Sequence, residues 1–222
     1  MRLPSGTEIK TYSLLFDMDG TLVDSTPAVE RVWRRWAESH GISFDSFRHT
    51  MHGRRAIDTM REVIPPHLDL AAELETIDNT ELTETEGIVA IPGAAELLAS
   101  IPRTAWALVT SAQRPLAQVR MTAAGLPWPD TVVSADDIRE GKPNPGCYLL
   151  ALKRLAQAPE NAVVFEDAPA GLAAGHAAGC RTIALATNAP ASALQNEEWL
   201  PDLSSITLTD IAPDGLMSFR VI

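Results

Sequence analysis

Residues 12–21 read YSLLFDMDGT, a short apolar run that ends in two carboxylates and a glycine. Comparable apolar runs recur along the chain and alternate with segments of helical length, at 105–109, 131–133, 162–165 and 182–185. We interpret these runs as buried parallel strands, because a strand that is covered on both faces shows no polar alternation. The alternation predicts an α/β fold with a doubly wound parallel sheet, whose ligand crevice lies beyond the carboxyl ends of the strands.

Residues 24–90 interrupt this alternation. A helix signal begins at Asp24-Ser25-Thr26-Pro27, and further helical patterns follow around 56–62 and 70–82 without a convincing strand between them. This segment is far longer than an ordinary crossover between two strands. We therefore predict a core domain made of residues 1–23 and 91–222, with a small helical domain, residues 24–90, inserted after the first strand.

Composition narrows the classes of partner. The 222 residues carry 18 Lys and Arg against 29 Asp and Glu, a formal charge of −11, which argues against binding to nucleic acid or to anionic lipid. Cys147 and Cys180 are too few for a disulfide framework, and no apolar run reaches the length of about 18 residues that a membrane span needs. We expect a cytoplasmic protein, a monomer or weak dimer, with no membrane partner.

The first acidic pair, Asp17 and Asp19, allows three interpretations. An EF-hand loop is excluded, because Gly20 falls at the fourth loop position and Ala28 occupies the twelfth. A hairpin turn at Asp19-Gly20 remains possible on this motif alone. In the third interpretation both carboxylates face the crevice at the end of a strand.

A second acidic pair, Glu166 and Asp167, ends the run at 162–165. If both strand ends share one crevice, four carboxylates come together, which is costly unless a cation offsets their repulsion. Oxygen ligands of this kind favour Mg²⁺, which also binds phosphate oxygens.

Two other positions could bind the phosphate. Thr110 and Ser111 follow the run at 105–109, and Lys142 stands between Gly141 and a proline. Hydroxyl and ammonium groups there could hold phosphate oxygens. Taken singly, Thr110 is more typical of an end-of-strand cap and Lys142 of a solvated loop lysine.

In this order, the motifs Asp17-x-Asp19-Gly20-Thr21, Thr110, Lys142 and Glu166-Asp167 resemble the four motifs of the haloacid dehalogenase superfamily across essentially the whole chain. The insertion resembles the helical cap of that superfamily, and the remainder its Rossmann-like core. The stretches His52-Gly53-Arg54-Arg55, 141–145 and 165–171 are most similar to phosphatases of sugar and polyol phosphates, of the glycerol-phosphate and 2-deoxyglucose-6-phosphate type.

The resemblance implies a Mg²⁺-dependent phosphatase that hydrolyses small sugar or polyol phosphate monoesters through an aspartyl-phosphate. Asp17 would be the nucleophile and Asp19 the general acid and base. The resemblance assigns the remaining roles to sets of residues. The metal site would comprise Asp17, Asp19, Glu166 and Asp167, and the phosphate site Thr110, Ser111 and Lys142.

The cap residues His52, Arg54 and Arg55 would contact the leaving group, although arginines on a cap helix can also be simply solvated. Relatives that isomerise sugar phosphates carry a histidine twelve residues after the nucleophile and an arginine in the cap loop. This chain has Val29 and Ala56 at those positions, which argues against a β-phosphoglucomutase. A non-catalytic binding protein on the same fold is the other alternative, and the complete set of motif carboxylates argues against it.

Overall fold

The computed structural model describes residues 1–222. The strands are β1 (Glu8–Thr11), β2 (Ser13–Phe16), β3 (Val23–Asp24), β4 (Val89–Ala90), β5 (Trp106–Val109), β6 (Thr131–Val133), β7 (Ala162–Glu166), β8 (Arg181–Leu185), β9 (Glu198–Leu200), β10 (Ile206–Ile211) and β11 (Met217–Val221). The helices are α1 (Thr26–Ser39), α2 (Ala56–Val63), α3 (Leu70–Glu81), α4 (Ala94–Ser100), α5 (Arg114–Ala123), α6 (Gly146–Leu155) and α7 (Pro169–Ala177).

The central sheet has the strand order β6-β5-β2-β7-β8-β9, and all its neighbouring strands are parallel. The predicted α/β fold with a doubly wound parallel sheet is confirmed. Leu14 and Phe16 pack in the apolar core on one face of the sheet, and Leu15 belongs to the core on the other face. Because both faces are covered, β2 needs no polar alternation.

A second sheet, with the order β1-β11-β10, is antiparallel and was not predicted. In β11 the buried residues Met217, Phe219 and Val221 alternate with the more exposed Ser218 and Arg220. This period of two is typical of a strand with one buried face. The sixth strand of the central sheet, β9, was also missed, since its three residues, Glu-Trp-Leu, do not form a continuous apolar run.

The helices α1, α2 and α3 form the inserted cap. Their apolar faces enclose a separate core, whose buried members include Trp33, Trp36, Phe47, Met60 and Ile77. The cap leaves and rejoins the rest of the chain through an antiparallel ribbon, in which Val23 of β3 lies opposite Ala90 of β4 and Asp24 opposite Val89. The domain boundaries that we propose coincide with this ribbon. None of the helices has the length and hydropathy required to cross a membrane.

Candidate active site

Charged side chains converge where β2 and β7 end. Asp17 follows β2, while Glu166 and Asp167 end β7, and these two strands are neighbours in the sheet. The chain builds β5 and β6 on one side of β2 and then returns to place β7 on the other side, so the order of the sheet reverses here. Such a switch point leaves a crevice between the loops that follow the two strands. Asp17, Glu166 and Asp167 therefore lie at the edge of the sheet where the two acidic pairs were expected.

Lys142 lies at the centre of this cluster. Its Nζ is 2.6 Å from Asp17 Oδ1 and 2.6 Å from Glu166 Oε1, and it also donates to the carbonyl oxygen of Val109 at 3.2 Å. The side chain is 1% exposed, so the interpretation of Lys142 as a solvated loop lysine is wrong. Opposite charges on both sides hold its pKa well above the ordinary value, although burial opposes the charged form.

Glu166 uses both of its carboxylate oxygens within the protein. Oε1 accepts hydrogen bonds from Lys142 and from the hydroxyl of Tyr148, and Oε2 accepts from the backbone N–H groups of Asp167 and Ala168. A Cβ at Gly171 would lie 1.6 Å from Oε1, so only glycine lets α7 approach this carboxylate. These bonds suit a group that orients Lys142.

Asp167 faces the turn that follows β2. Its Oδ1 accepts from the hydroxyl of Thr21 at 3.2 Å, and its Oδ2 accepts from Asn188 Nδ2 at 2.8 Å. Gly20 has φ +91°, and a Cβ there would lie 2.2 Å from Asp167 Oδ2. The turn therefore requires glycine for its backbone conformation and for the space next to Asp167. Asn188 was not predicted from the sequence, because no recognisable motif in the loop after β8 points to it.

The three buried carboxylates offer a donor set that suits a cation. Asp17, Glu166 and Asp167 are all buried, and each offers an oxygen within 4.8 Å of the others. Burial raises the pKa of Asp17 to about 7 and that of Asp167 well above its ordinary value. Three carboxylates against one ammonium leave an excess of negative charge that a divalent cation would offset. This oxygen-rich donor set fits Mg²⁺.

Asp19 lies outside this cluster and lines the cavity above it. Its Oδ1 accepts from the hydroxyl of Ser25 at 2.5 Å, and its Oδ2 accepts from Arg120 Nη1 at 2.9 Å. The guanidinium of Arg120 also lies 3.3 Å from a carboxylate oxygen of Glu81 in the cap. Arg120 and Glu81 were not predicted from the sequence. The available signal was that Arg120 falls four residues after Leu116, on the buried face of α5.

The two hydroxyl residues after β5 differ in their partners. Thr110 is buried, and its Oγ1 accepts from the backbone N–H of Ala112 at 3.0 Å, which is the behaviour of an end-of-strand cap. The hydroxyl of Ser111 donates to the carbonyl oxygen of Gly53 in the cap at 2.9 Å. Both side chains lie at the edge of β5 next to the carboxylate cluster, and Ser111 lines the cavity.

A cavity of about 270 Å³ lies between the cap and the core, and Asp17 is the member of the carboxylate cluster that lines it. The cap residues His52, Arg54 and Arg55 all line it. Arg54 forms a two-point pair with Glu62, and Arg55 forms another with Asp58. The guanidinium groups of Arg54 and Arg55 are therefore both already neutralised by carboxylates of the cap.

Several polar contacts hold the cap against the core in addition to the bond between Ser111 and Gly53. Arg55 donates to the carbonyl oxygen of Arg139 at 2.9 Å, and Gln113 donates to the carboxylate of Asp78 at 2.7 Å. A Cβ at Gly53 would lie 2.6 Å from the Cβ of Ala168. The cap is thus docked on the core, and the cavity lies between them.

Comparisons with known proteins agree with this geometry. The profile of the haloacid dehalogenase-like hydrolase family matches residues 13–179. Hexitol phosphatase A of Escherichia coli is 46% identical over 214 residues, which cover 93% of this chain and 98% of that protein. Glycerol-1-phosphate phosphohydrolase 2 of Saccharomyces cerevisiae is 36% identical, with 81% of this chain and 76% of that protein covered. A hydrolase from Pseudomonas syringae shares the fold, with a TM-score of 0.76, 22% identity, and coverage of 86% of this chain and 94% of that chain.

Proposed function

Because this chain belongs to the haloacid dehalogenase-like hydrolases, we propose that its cavity hydrolyses the phosphate monoesters of small sugars or polyols. The observation that carries the proposal is the buried contact of Asp17 with Lys142 beside Glu166 and Asp167, directly beneath a docked cap. The related hexitol and glycerol-1-phosphate phosphatases support the same class of substrate.

The reaction follows from the roles of two carboxylates. Lys142 binds Oδ1 of Asp17 and orients the group, which leaves Oδ2 to attack phosphorus in line with the ester oxygen. As the bond between phosphorus and that oxygen breaks, Asp19, which enters the step protonated, donates its proton to the leaving alkoxide and so releases a neutral alcohol. Asp19 then accepts a proton from water, whose oxygen attacks phosphorus, releases inorganic phosphate and restores Asp17.

Asp17, Asp167 and the main-chain carbonyl of Asp19 would hold Mg²⁺. When bound, the ion offsets the repulsion between Asp17 and the anionic phosphate. Glu166 would act on the ion only indirectly, by keeping Lys142 and the backbone at Asp167 in place, because each of its oxygens already accepts two hydrogen bonds. The transferring phosphoryl oxygens bind to Lys142, Thr110 and Ser111. The compact ammonium of Lys142 stabilises the negative charge that develops on these oxygens.

The cap favours a neutral, hydroxylated remainder over a second anionic group. Arg54 and Arg55 already bind carboxylates, and Asp78 and Glu81 add two more acceptors to the cavity wall. Hydroxyl groups donate to carboxylates, whereas a distal phosphate would face repulsion there. Of the three cap residues predicted to contact the leaving group, Arg54 and Arg55 have carboxylate partners and His52 has none. His52 lines the cavity and would contact the leaving group.

The isomerase alternative receives no support from the cavity wall. Val29 and Ala56 line the cavity at the two positions that carry histidine and arginine in the isomerases. Neither side chain can donate a hydrogen bond to a sugar phosphate that reorients in the site. Hydrolysis therefore remains the proposal.

The first test measures phosphate release from hexitol phosphates, glycerol phosphate and a hexose bisphosphate. We expect turnover of the monophosphates in Mg²⁺, its loss in excess EDTA, and its return when Mg²⁺ is restored. We expect kcat/KM for the bisphosphate to be lower by at least about tenfold, because its second phosphate meets the acidic wall.

The same preparation of an Asp17→Asn variant serves as the control for contaminating phosphatases. Absence of phosphate release from every compound in the presence of Mg²⁺ would contradict the proposed function. Preferential turnover of the bisphosphate would contradict the argument from the charge of the cap.

A separate prediction concerns Asp19. We expect Asp19→Asn to lower kcat for an alkyl phosphate by about 10²–10⁴-fold, the contribution usual for general acid catalysis. Its effect on p-nitrophenyl phosphate should be much smaller, because p-nitrophenolate leaves without protonation. The measurement is the ratio of kcat for the two substrates, and equal losses on both would remove the role of general acid from Asp19.

A further inference from the structure

Arg120 is a buried cation at the boundary between the core and the cap. Its side chain is 7% exposed, and it belongs to α5, whose neighbouring buried residues Leu116, Ala117 and Met121 are apolar. A guanidinium is costly to bury unless its donors are paired. Arg120 meets this requirement with two carboxylates that belong to different domains, and one of them is Asp19.

The two ends of the guanidinium bind different partners. Nη1 donates to Oδ2 of Asp19 at 2.9 Å, and Nη2 lies 3.3 Å from Oε1 of Glu81, the last residue of α3 in the cap. Glu81 is itself buried and accepts a hydrogen bond from Nε1 of Trp33 at 3.3 Å. A continuous polar path therefore joins the interior of the cap to the carboxylate that we assign to proton transfer.

The two donors to Asp19 constrain it differently. Ser25 donates to Oδ1 through a hydroxyl that can rotate. Arg120 donates to Oδ2 through a rigid planar fork, and the opposite side of that fork is fixed by Glu81. The direction of the Asp19 carboxylate is thus set by Arg120, and the direction of Arg120 is set by a residue of the cap.

We infer that Arg120 is a positioning residue that aligns Asp19 with the leaving oxygen, and that Glu81 makes this alignment depend on the docked cap. The inference rests on the proposed function. It deepens that function by naming the contact through which docking of the cap prepares proton delivery. When the cap is undocked, Glu81 no longer holds the fork, and Asp19 is not aligned. Proton transfer to the leaving group therefore takes place only while the cap is docked, in an enclosed cavity from which the cap excludes water.

The test compares Arg120→Met with the unmodified enzyme on an alkyl phosphate and on p-nitrophenyl phosphate. For the alkyl phosphate we expect kcat to fall by about 30- to 100-fold, the scale of a small misplacement of a catalytic group, with KM little changed. For p-nitrophenyl phosphate we expect a loss of less than about fivefold, because Asp17 and Lys142 are untouched and that leaving group needs no proton.

Two further variants separate positioning from support of the fold. Arg120→Lys keeps the charge but replaces the rigid planar fork with a compact ammonium on a flexible stem, so we expect an intermediate, alkyl-specific loss. Glu81→Gln leaves the contact between Arg120 and Asp19 in place. We therefore expect a smaller loss of kcat, about fivefold, on the alkyl phosphate only. Arg103→Gln, at a surface arginine that is 62% exposed, is the matched control and should alter neither substrate.

A double variant supplies the decisive outcome. In an Asp19→Asn background, Arg120→Met should leave the ratio of the two kcat values unchanged, because no carboxylate remains to be aligned. Circular dichroism melting monitors the fold of every variant, and Arg120→Lys and Glu81→Gln decide the matter if Arg120→Met does not fold.

Equal losses on both substrates would overturn the inference and make Arg120 a structural residue only. An unchanged ratio in Arg120→Lys and Glu81→Gln would overturn it as well. Either result in an active enzyme leaves the proposed function intact, whereas an unmodified enzyme that releases no phosphate defeats the proposed function itself.

Discussion

Replacement of Asp17 by asparagine is expected to lower kcat by at least about 10³-fold on every phosphate monoester. The amide has the shape of the carboxylate and can still accept a hydrogen bond from Lys142, but it cannot attack phosphorus. The fold should persist, because burial raises the pKa of Asp17 to about 7 and a neutral amide removes a charge that is costly to bury.

Two measurements check this expectation. Phosphate release gives kcat, and thermal melting at pH 8 should give a Tm no lower than that of the unmodified protein, since the carboxyl is ionised above its raised pKa and the amide is not. Asp210→Asn, at an exposed position of β10, is the matched control and should behave as the unmodified protein. Retention of more than about a hundredth of the original kcat would contradict a covalent mechanism through Asp17.

Lys142→Met is expected to damage both stability and turnover. Lys142 is the cation that separates Asp17 from Glu166, and its removal leaves three buried carboxylates without a counter-charge. Breaking a buried ion pair from one side typically costs about 3–5 kcal/mol of unfolding free energy. We also expect kcat to fall by at least about 10²-fold, because a charged donor to the phosphoryl oxygens is lost.

Unfolding in urea measures the first effect and phosphate release the second. Lys153→Met provides the control, since Lys153 lies on α6 with its side chain exposed. Mg²⁺ should recover part of the lost stability, because it would supply positive charge to the same carboxylates. A change in unfolding free energy below about 1 kcal/mol would show that the carboxylates do not depend on Lys142.

Much of the core was predictable because its strands are covered on both faces. Continuous apolar runs such as 12–16 predicted β2 and its parallel neighbours, and helical spacing predicted the helices of the insertion that we propose as the cap. The antiparallel sheet was missed, although the alternation of Met217, Phe219 and Val221 signals β11. That sheet depends on pairing with β1, more than 200 residues away in sequence, which no local pattern reveals.

The residues of the site also fall into two groups, those that could be predicted from the strand pattern and those that could not. Asp17, Thr110, Glu166 and Asp167 follow parallel strands, so topology alone brings them to one edge of the sheet. Arg120 and Glu81 come from two helices whose approach depends on how the cap docks, and Asn188 comes from the loop after β8. Sequence patterns describe the faces of these helices but not the angle and depth at which two domains meet. An arginine on an apolar helix face is nevertheless a signal that can be searched for in other sequences.

The ribbon of β3 and β4 makes the cap an exchangeable module. Because Val23 and Ala90 are paired neighbours, the chain leaves the core and re-enters it at a single place, and any segment with closely spaced ends can fill that gap. The cap also carries its own apolar core, so its interior can vary without disturbing the packing around the central sheet. New substrate preferences can therefore be engineered by transplanting a different insertion between these two strands, while the phosphate chemistry below stays the same. A new cap must also match the contacts that dock it on the core, such as those of Ser111 with Gly53 and of Arg120 with Glu81.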